Sequence, residues 1–83
     1  MKDIRQEVVN RIESILDDNG VRLDQPLSDE TILLECGLDS LGFAILVVDL
    51  EDILGYDPFV LMDEPFYPRT LEEFVGIYVK FKP

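Results

Sequence analysis

The sequence predicts an all-α four-helix bundle, three main helices plus a short third helix. Three observations lead there. Apolar residues recur at i, i+4 spacing near both ends and in the middle of the chain. Helix stop and start signals separate those segments: Asn19-Gly20, Gly55 and the Thr70–Glu73 box. A hydrophobic fraction of 47% in 83 residues is ample for one core. A core of this size leaves only about 3–5 kcal/mol of net stability, so every cap and contact counts.

The first helix spans about residues 3–18. Ile4, Val8, Ile12 and Leu16, with Val9 and Ile15 alongside, form its core-facing stripe, and Asn19-Gly20 ends it. Residues 20–38 form a long connection with turn signals at Pro26, Ser28 and Asp29. Ile32, Leu33 and Leu34 are expected to pin it to the core through one helical turn near Asp29–Leu34. Connections this long inside a small domain are either functional or disordered, and the apolar residues argue for order.

The second helix begins at Asp39 or Ser40, with Asp39 as N-cap, and runs to about Leu54 before Gly55. Phe43, Leu46, Val47, Leu50 and Leu54 share one face as a core stripe. Leu41, Ala44, Ile45 and Val48 lie on the opposite face, which continues into Glu51 and Asp52. A helix apolar on both sides is normally buried on both sides, yet a domain this small covers only one. The second stripe is then a contact surface, or a neighbouring loop lies over it.

Asp57-Pro58 caps a short third helix, Pro being tolerated at the first helical position. Pro65 and Pro68 limit its length. Thr70-Leu71-Glu72-Glu73 is a capping box. Leu71, Phe74, Val75 and Tyr78 form the stripe of a last helix ending near Phe81.

Charge and absent chemistry narrow the function. The net charge is −11. Basic residues sit only at the two ends; between Arg22 and Arg69 there are none, against eleven acids. That excludes nucleic acid as a partner and favours basic protein partners attracted at long range, or simply a solubilising surface. With no histidine there is no ordinary general base or imidazole ligand. One cysteine with scattered carboxylates makes no zinc set, and Asp17-Asp18-Asn19-Gly20 lacks the ligand spacing of a calcium loop. No resident metal site and no autonomous enzyme are expected. No run approaches the ~20 apolar residues of a membrane span, and Met1-Lys2-Asp3-Ile4-Arg5 has no signal-peptide core. A single cysteine fits a reducing cytoplasm.

Gly37-Leu38-Asp39-Ser40-Leu41 places a serine at a helix start, where free amides and the helix dipole favour an anion. This pentapeptide resembles the modification site of acyl carrier proteins and of the related peptidyl and aminoacyl carriers, in which the serine of a G-x-D-S-L/M pattern carries a phosphopantetheine arm. The likeness extends over nearly the whole chain: a first helix, a long ordered loop, the D-S-L start of helix two, a short third helix and a capped fourth.

The resemblance implies an acyl-carrier-like fold over a single carrier domain, residues 1–83. It implies that Ser40 takes 4′-phosphopantetheine from coenzyme A through a phosphopantetheinyl transferase. Asp39 matches the aspartate that supports that transfer by helping to hold magnesium. Leu41, Ala44, Val48, Glu51 and Asp52 match the helix-two positions that partner enzymes grip, and Ile45 lies on the same expected partner face.

Two departures stand out. Ile45 replaces an often acidic residue, and Gly42 a commonly polar one, so the face is less charged than in housekeeping fatty-acid carriers. Cys36 falls where the family has a core aliphatic, and a buried inert thiol is expected there.

The expected role is a monomeric, cytoplasmic, stand-alone carrier that tethers acyl or aminoacyl groups as thioesters in a specialised pathway of fatty-acid, polyketide or nonribosomal peptide type. Its partners would be an acyl or aminoacyl ligase, acyltransferase or synthase with basic docking surfaces. The alternative is an unmodified acidic helical adaptor that binds basic proteins.

Overall fold

The computed structural model describes residues 3–63 and 67–83. Among them the chain is all-helical: α1 (Ile4–Asp18), a single 3₁₀ turn (Leu33–Glu35), α2 (Ser40–Leu54), α3 (Pro58–Leu61) and α4 (Leu71–Lys80). The β feature among these residues is an isolated antiparallel bridge between Ile32 and Thr70.

Asp3 caps α1 by accepting from the Gln6 amide. The helix ends in two reciprocal bonds: the Val21 amide donates to the Leu16 carbonyl at 2.8 Å and the Gly20 amide to Asp17 at 3.0 Å. This Schellman arrangement needs a left-handed residue, and Gly20 supplies it with φ +74°. Ile4, Val8, Ile12, Ile15 and Leu16 are buried, and Val9 is half-buried. α1 packs against α2 and, less extensively, α4.

In α2 the predicted core face has a buried spine, Leu46 and Leu50, flanked by half-buried Phe43, Val47 and Leu54. α3 starts at Asp57, which accepts from the Phe59 amide at 2.9 Å. It ends at Leu61, ahead of both prolines; Pro65 lies outside the described residues. Although short, α3 matters to packing. The rings of Phe43, Phe59, Phe74, Tyr78 and Tyr56 form one cluster, with neighbouring centroids 5.0–6.5 Å apart, that joins α2, α3 and α4. The Tyr56 hydroxyl donates to the Tyr78 backbone carbonyl. Burial, with Asp57, Tyr56 and Glu51 nearby, pushes the Tyr78 phenol well above its ordinary range.

The long connection is ordered, but not as the sequence suggests. Its helical turn lies at Leu33–Glu35 rather than across Asp29–Leu34. Of the three expected anchors, Leu33 is fully buried, Ile32 is half-buried and Leu34 is 59% exposed. A tight 3₁₀ turn spreads successive side chains about 120° apart, so one of two adjacent leucines turns outward. Leu38, absent from the predicted anchors, is only 1% exposed.

The same connection completes the start of α4. The Leu71 amide donates to the Thr31 carbonyl at 2.9 Å and the Glu72 amide to Asp29 at 3.1 Å, while the Leu33 amide donates back to Arg69 at 3.0 Å. Glu73 closes the predicted capping box: its carboxylate accepts from the Arg69 and Thr70 amides, and its own amide donates to the Thr70 hydroxyl. The unpaired first amides of a helix are thus met by loop carbonyls and one threonine.

The hydrogen bonds from the Thr70 and Arg69 amides hold the Glu73 carboxyl below the usual carboxylate value. A group depressed by folding adds stability above its unfolded value and loses it as pH falls through its folded value. Glu73→Gln should therefore flatten the acid limb of a melting-temperature profile below about pH 4.5 while leaving neutral-pH helicity in place; an unchanged acid limb would show that the cap is energetically idle.

Of the eleven acids between Arg22 and Arg69, Asp29 and Asp49 meet a cation among the described residues. Arg5 lies 3.2 Å from Asp29, and Arg11 lies 2.6 Å from Asp49. The first pair is half-exposed and the second partly buried; ion pairs near a surface contribute little, so repulsion among the remaining acids is expected to dominate. Melting temperature should rise between about 0.01 and 0.15 M sodium chloride as the screening length falls from roughly 30 to 8 Å. A falling melting temperature across that series would mean that the two α1 ion pairs outweigh the repulsion.

Candidate functional site

The site is built by the turn into α2. Gly37 has φ +109°, and a β-carbon there would lie 2.7 Å from Val21 Cγ1 and 3.4 Å from Leu16 Cδ2. The position therefore needs glycine twice over, for its backbone angle and for the closeness of the α1 terminus. Leu38 then drops into the core, Asp39 is extended, and Ser40 opens the helix with its side chain in solvent. Two residues after a fully buried leucine, a hydroxyl stands exposed.

Asp39 is the N-cap the sequence predicts. Its Oδ1 accepts from the Gly42 amide at 2.7 Å, and its carbonyl accepts from Phe43 at 2.8 Å. The amides of Ser40 and Leu41 have no acceptor among the described residues. Two backbone donors and the positive end of a 15-residue helix thus face solvent beside the Ser40 hydroxyl. No base is hydrogen-bonded to that hydroxyl among the described residues, and the chain contains no histidine. By itself Ser40 is an ordinary, unactivated alcohol.

Gly42 has a structural reason that its sequence context hides. A β-carbon there would meet Leu38 Cδ1 at 3.0 Å, Asp39 Oδ1 at 3.2 Å and Ile15 Cγ2 at 3.6 Å. The first turn of α2 sits against α1 and under the capping carboxylate. A larger side chain would push on the residue that presents Ser40.

The second stripe of α2 is open. Leu41 is 70%, Val48 62% and Ile45 43% exposed, and Ala44, Glu51 and Asp52 are exposed as well. The connecting loop does not cover it. Asp49 is set apart from this face, half-buried and bound to Arg11 across the α1–α2 contact.

Cys36 is half-buried rather than fully buried. Its thiol donates to the Leu33 carbonyl at 3.1 Å and it packs against the core edge as the residue that ends the 3₁₀ turn. Among the described residues no three His, Cys, Asp or Glu side chains gather as a metal site, and no helix is long and apolar enough to cross a membrane. A further cleft, lined by Asp29, Glu30, Ile32, Arg69, Thr70 and Glu72, lies where the loop meets α4. No protein-family model, curated protein or solved structure matches the chain.

Gly37 carries the most specific structural prediction at this site. Gly37→Ala combines a disfavoured backbone angle with an overlap against Val21, each costing about 1–3 kcal/mol. Thermal melts should show a loss of at least about 4 °C; a melting temperature equal to that of the parent would mean that the turn relaxes freely.

Proposed function

We propose that the chain is a carrier protein of the acyl-carrier kind, with Ser40 as the attachment point for 4′-phosphopantetheine. The observation that supports it most is the pairing of an exposed serine hydroxyl with two unpartnered amides at the start of α2. A phosphodiester on Ser40 Oγ would place anionic oxygens where those donors and the helix dipole favour them. The order of elements, with a long ordered loop feeding D-S-L and a four-residue third helix, supports the acyl-carrier arrangement of the bundle.

The fit of the arm is a matter of access and charge. Ser40 is exposed, so the hydroxyl can enter a transferase active site without local unfolding. The Asp39 carboxylate is committed through Oδ1 to Gly42, and its second oxygen makes no hydrogen bond among the described residues. That oxygen would be free to help hold a magnesium ion in the complex with the transferase, and the ion would offset the charge of the incoming coenzyme A. Ser40 Oγ would bond to the phosphorus bearing the pantetheine, the pyrophosphate P–O bond would break and adenosine 3′,5′-bisphosphate would leave; with no histidine in the chain, the transferase would supply the base that takes the serine proton.

When bound, the arm supplies a thiol whose thioester is a better acyl donor than a serine ester. The protein's own contribution is to hold that thiol on a rigid helix start and bring it to each partner at high local concentration. The chain catalyses nothing itself. The acids lacking basic partners and the open α2 stripe support ligases, acyltransferases or synthases with basic docking surfaces as those partners.

Intact-mass measurement after incubation with coenzyme A and a broad-specificity phosphopantetheinyl transferase should show the gain of one phosphopantetheine. Ser40→Ala should remove it entirely, since Ser14 and Ser28 sit in a helix interior and a loop turn without free helix-start amides. If the parent gains no mass, the acidic-adaptor reading takes its place. If Ser40→Ala is still labelled, the attachment site is elsewhere.

A further inference from the structure

The end of α1 carries a dipeptide, Asn19-Gly20, whose chemistry is separate from that of Ser40. Both residues are exposed, and the Asn19 side-chain amide makes no hydrogen bond among the described residues. A β-carbon built on Gly20 would meet nothing within 4 Å, so approach to its nitrogen is unhindered. Asparagine followed by glycine is the pair best suited to closing a cyclic imide, because glycine puts no side chain in the way of the ring and turns freely into it.

We propose that Asn19 is a site of spontaneous modification, converted to aspartate and isoaspartate at a rate set by fraying of α1. The Gly20 nitrogen, on losing its proton to hydroxide, attacks Asn19 Cγ. The N–Cγ bond forms, the Cγ–Nδ2 bond breaks, and ammonia leaves with a proton from water. Water then opens the imide at Cγ, giving aspartate, or at the former Asn19 backbone carbonyl, giving isoaspartate with one extra methylene in the main chain. Water is the sole co-reactant.

The fold gates this reaction. Asn19 has ψ 3°, which sets the Gly20 nitrogen beside the Asn19 nitrogen rather than over its β-carbon, and the Gly20 amide donates to the Asp17 carbonyl at 3.0 Å. Ring closure therefore needs the last turn to open. That turn is poorly defended. Asp17 and Asp18 sit at the negative end of the helix dipole, no basic residue shares the turn, and neither acid has an ion-pair partner among the described residues. Helix ends are also the parts of a fold that open at the smallest cost. The isoaspartyl product cannot close the turn again: its methylene lengthens the path between the Leu16 carbonyl and the Val21 amide, and its carboxylate joins Asp17 and Asp18. Val21 is the residue whose Cγ1 would lie 2.7 Å from a β-carbon on Gly37. Loosening residues 19–21 thus withdraws packing from the turn before Asp39.

Asn10 is the internal comparison. It lies inside α1, is followed by Arg11, and its side chain accepts from Gln6 Nε2 at 2.8 Å. The test holds the full chain in mildly alkaline buffer, folded and in guanidinium chloride, and follows both asparagines by peptide mapping with fragmentation that separates aspartate from isoaspartate. Asn19 should convert in both conditions, and several-fold faster than Asn10 even in denaturant. Folding should slow Asn19 about tenfold, the protection given by an end that opens at small cost. The isoaspartyl chain, isolated and refolded, should melt at least about 4 °C below Asn19→Asp. The two have the same composition and charge, so the difference reports the displaced methylene. Asn19 converting no faster than Asn10 would overturn the site. Equal rates with and without denaturant would overturn the gating, and an isoaspartyl chain that melts with Asn19→Asp would overturn the coupling to Gly37.

Discussion

The structure around Ser40 depends on one constraint: the chain must bury Leu38 and expose Ser40 within a single turn. Gly37 makes this possible by taking a left-handed backbone angle against the end of α1, where Val21 and Leu16 leave no room for a side chain. Once Leu38 is seated, the extended Asp39 has to point its carboxylate back over the first turn, and it finds the Gly42 amide. Gly42 in turn leaves room for Leu38 and the capping carboxylate, which a β-carbon there would meet at 3.0 and 3.2 Å. Three neighbouring requirements, the first of them satisfied only by glycine, fix the direction in which the serine leaves the protein.

The open stripe on α2 follows from the same geometry at larger scale. α1 packs on both α2 and α4, and the aromatic cluster closes the remaining side of α2 through Phe43. The element that could cover the outer side, α3, is four residues long, about 6 Å of helix. It is occupied in holding Phe59 against Phe74 and Tyr78. A helix with two apolar faces in so small a domain therefore keeps one of them in water, at no cost in core packing, because Leu46 and Leu50 already fill the inner side.

Much of this was legible in the sequence because it rests on local rules. The caps at Asp39, Asp57 and Thr70, the stop at Asn19-Gly20 and the helical stripes depend on residues a few positions apart, and each is found where its signal lies. The two-faced character of α2 was legible for the same reason. What the sequence hid depends on distant partners. The place of the turn in the long connection is set by hydrogen bonds from residues 29–33 to the start of α4, about forty positions away. That register sends Leu33 inward and Leu34 outward, a choice that two adjacent leucines cannot encode locally. Leu38 was overlooked because it belongs to no periodic stripe. Gly42 reads as the loss of a polar residue until Ile15 and Leu38 are seen beside it.

The acidity of the chain then acquires two opposed consequences. Among the described residues most of the acids between Arg22 and Arg69 have no ion-pair partner, so they repel one another in the folded state and draw on a small reserve of stability. Yet a helix presenting Leu41, Ile45 and Val48 to water invites self-association. Net charge far from zero opposes that pairing at long range, before apolar surfaces meet, and does so without occupying the stripe. A neutral chain with this α2 would gain fold stability and lose the separation between copies. On α2 the exposed charges flank the leucine, isoleucine and valine rather than interrupt them, with Asp39 before the helix and Glu51 and Asp52 in its last turn.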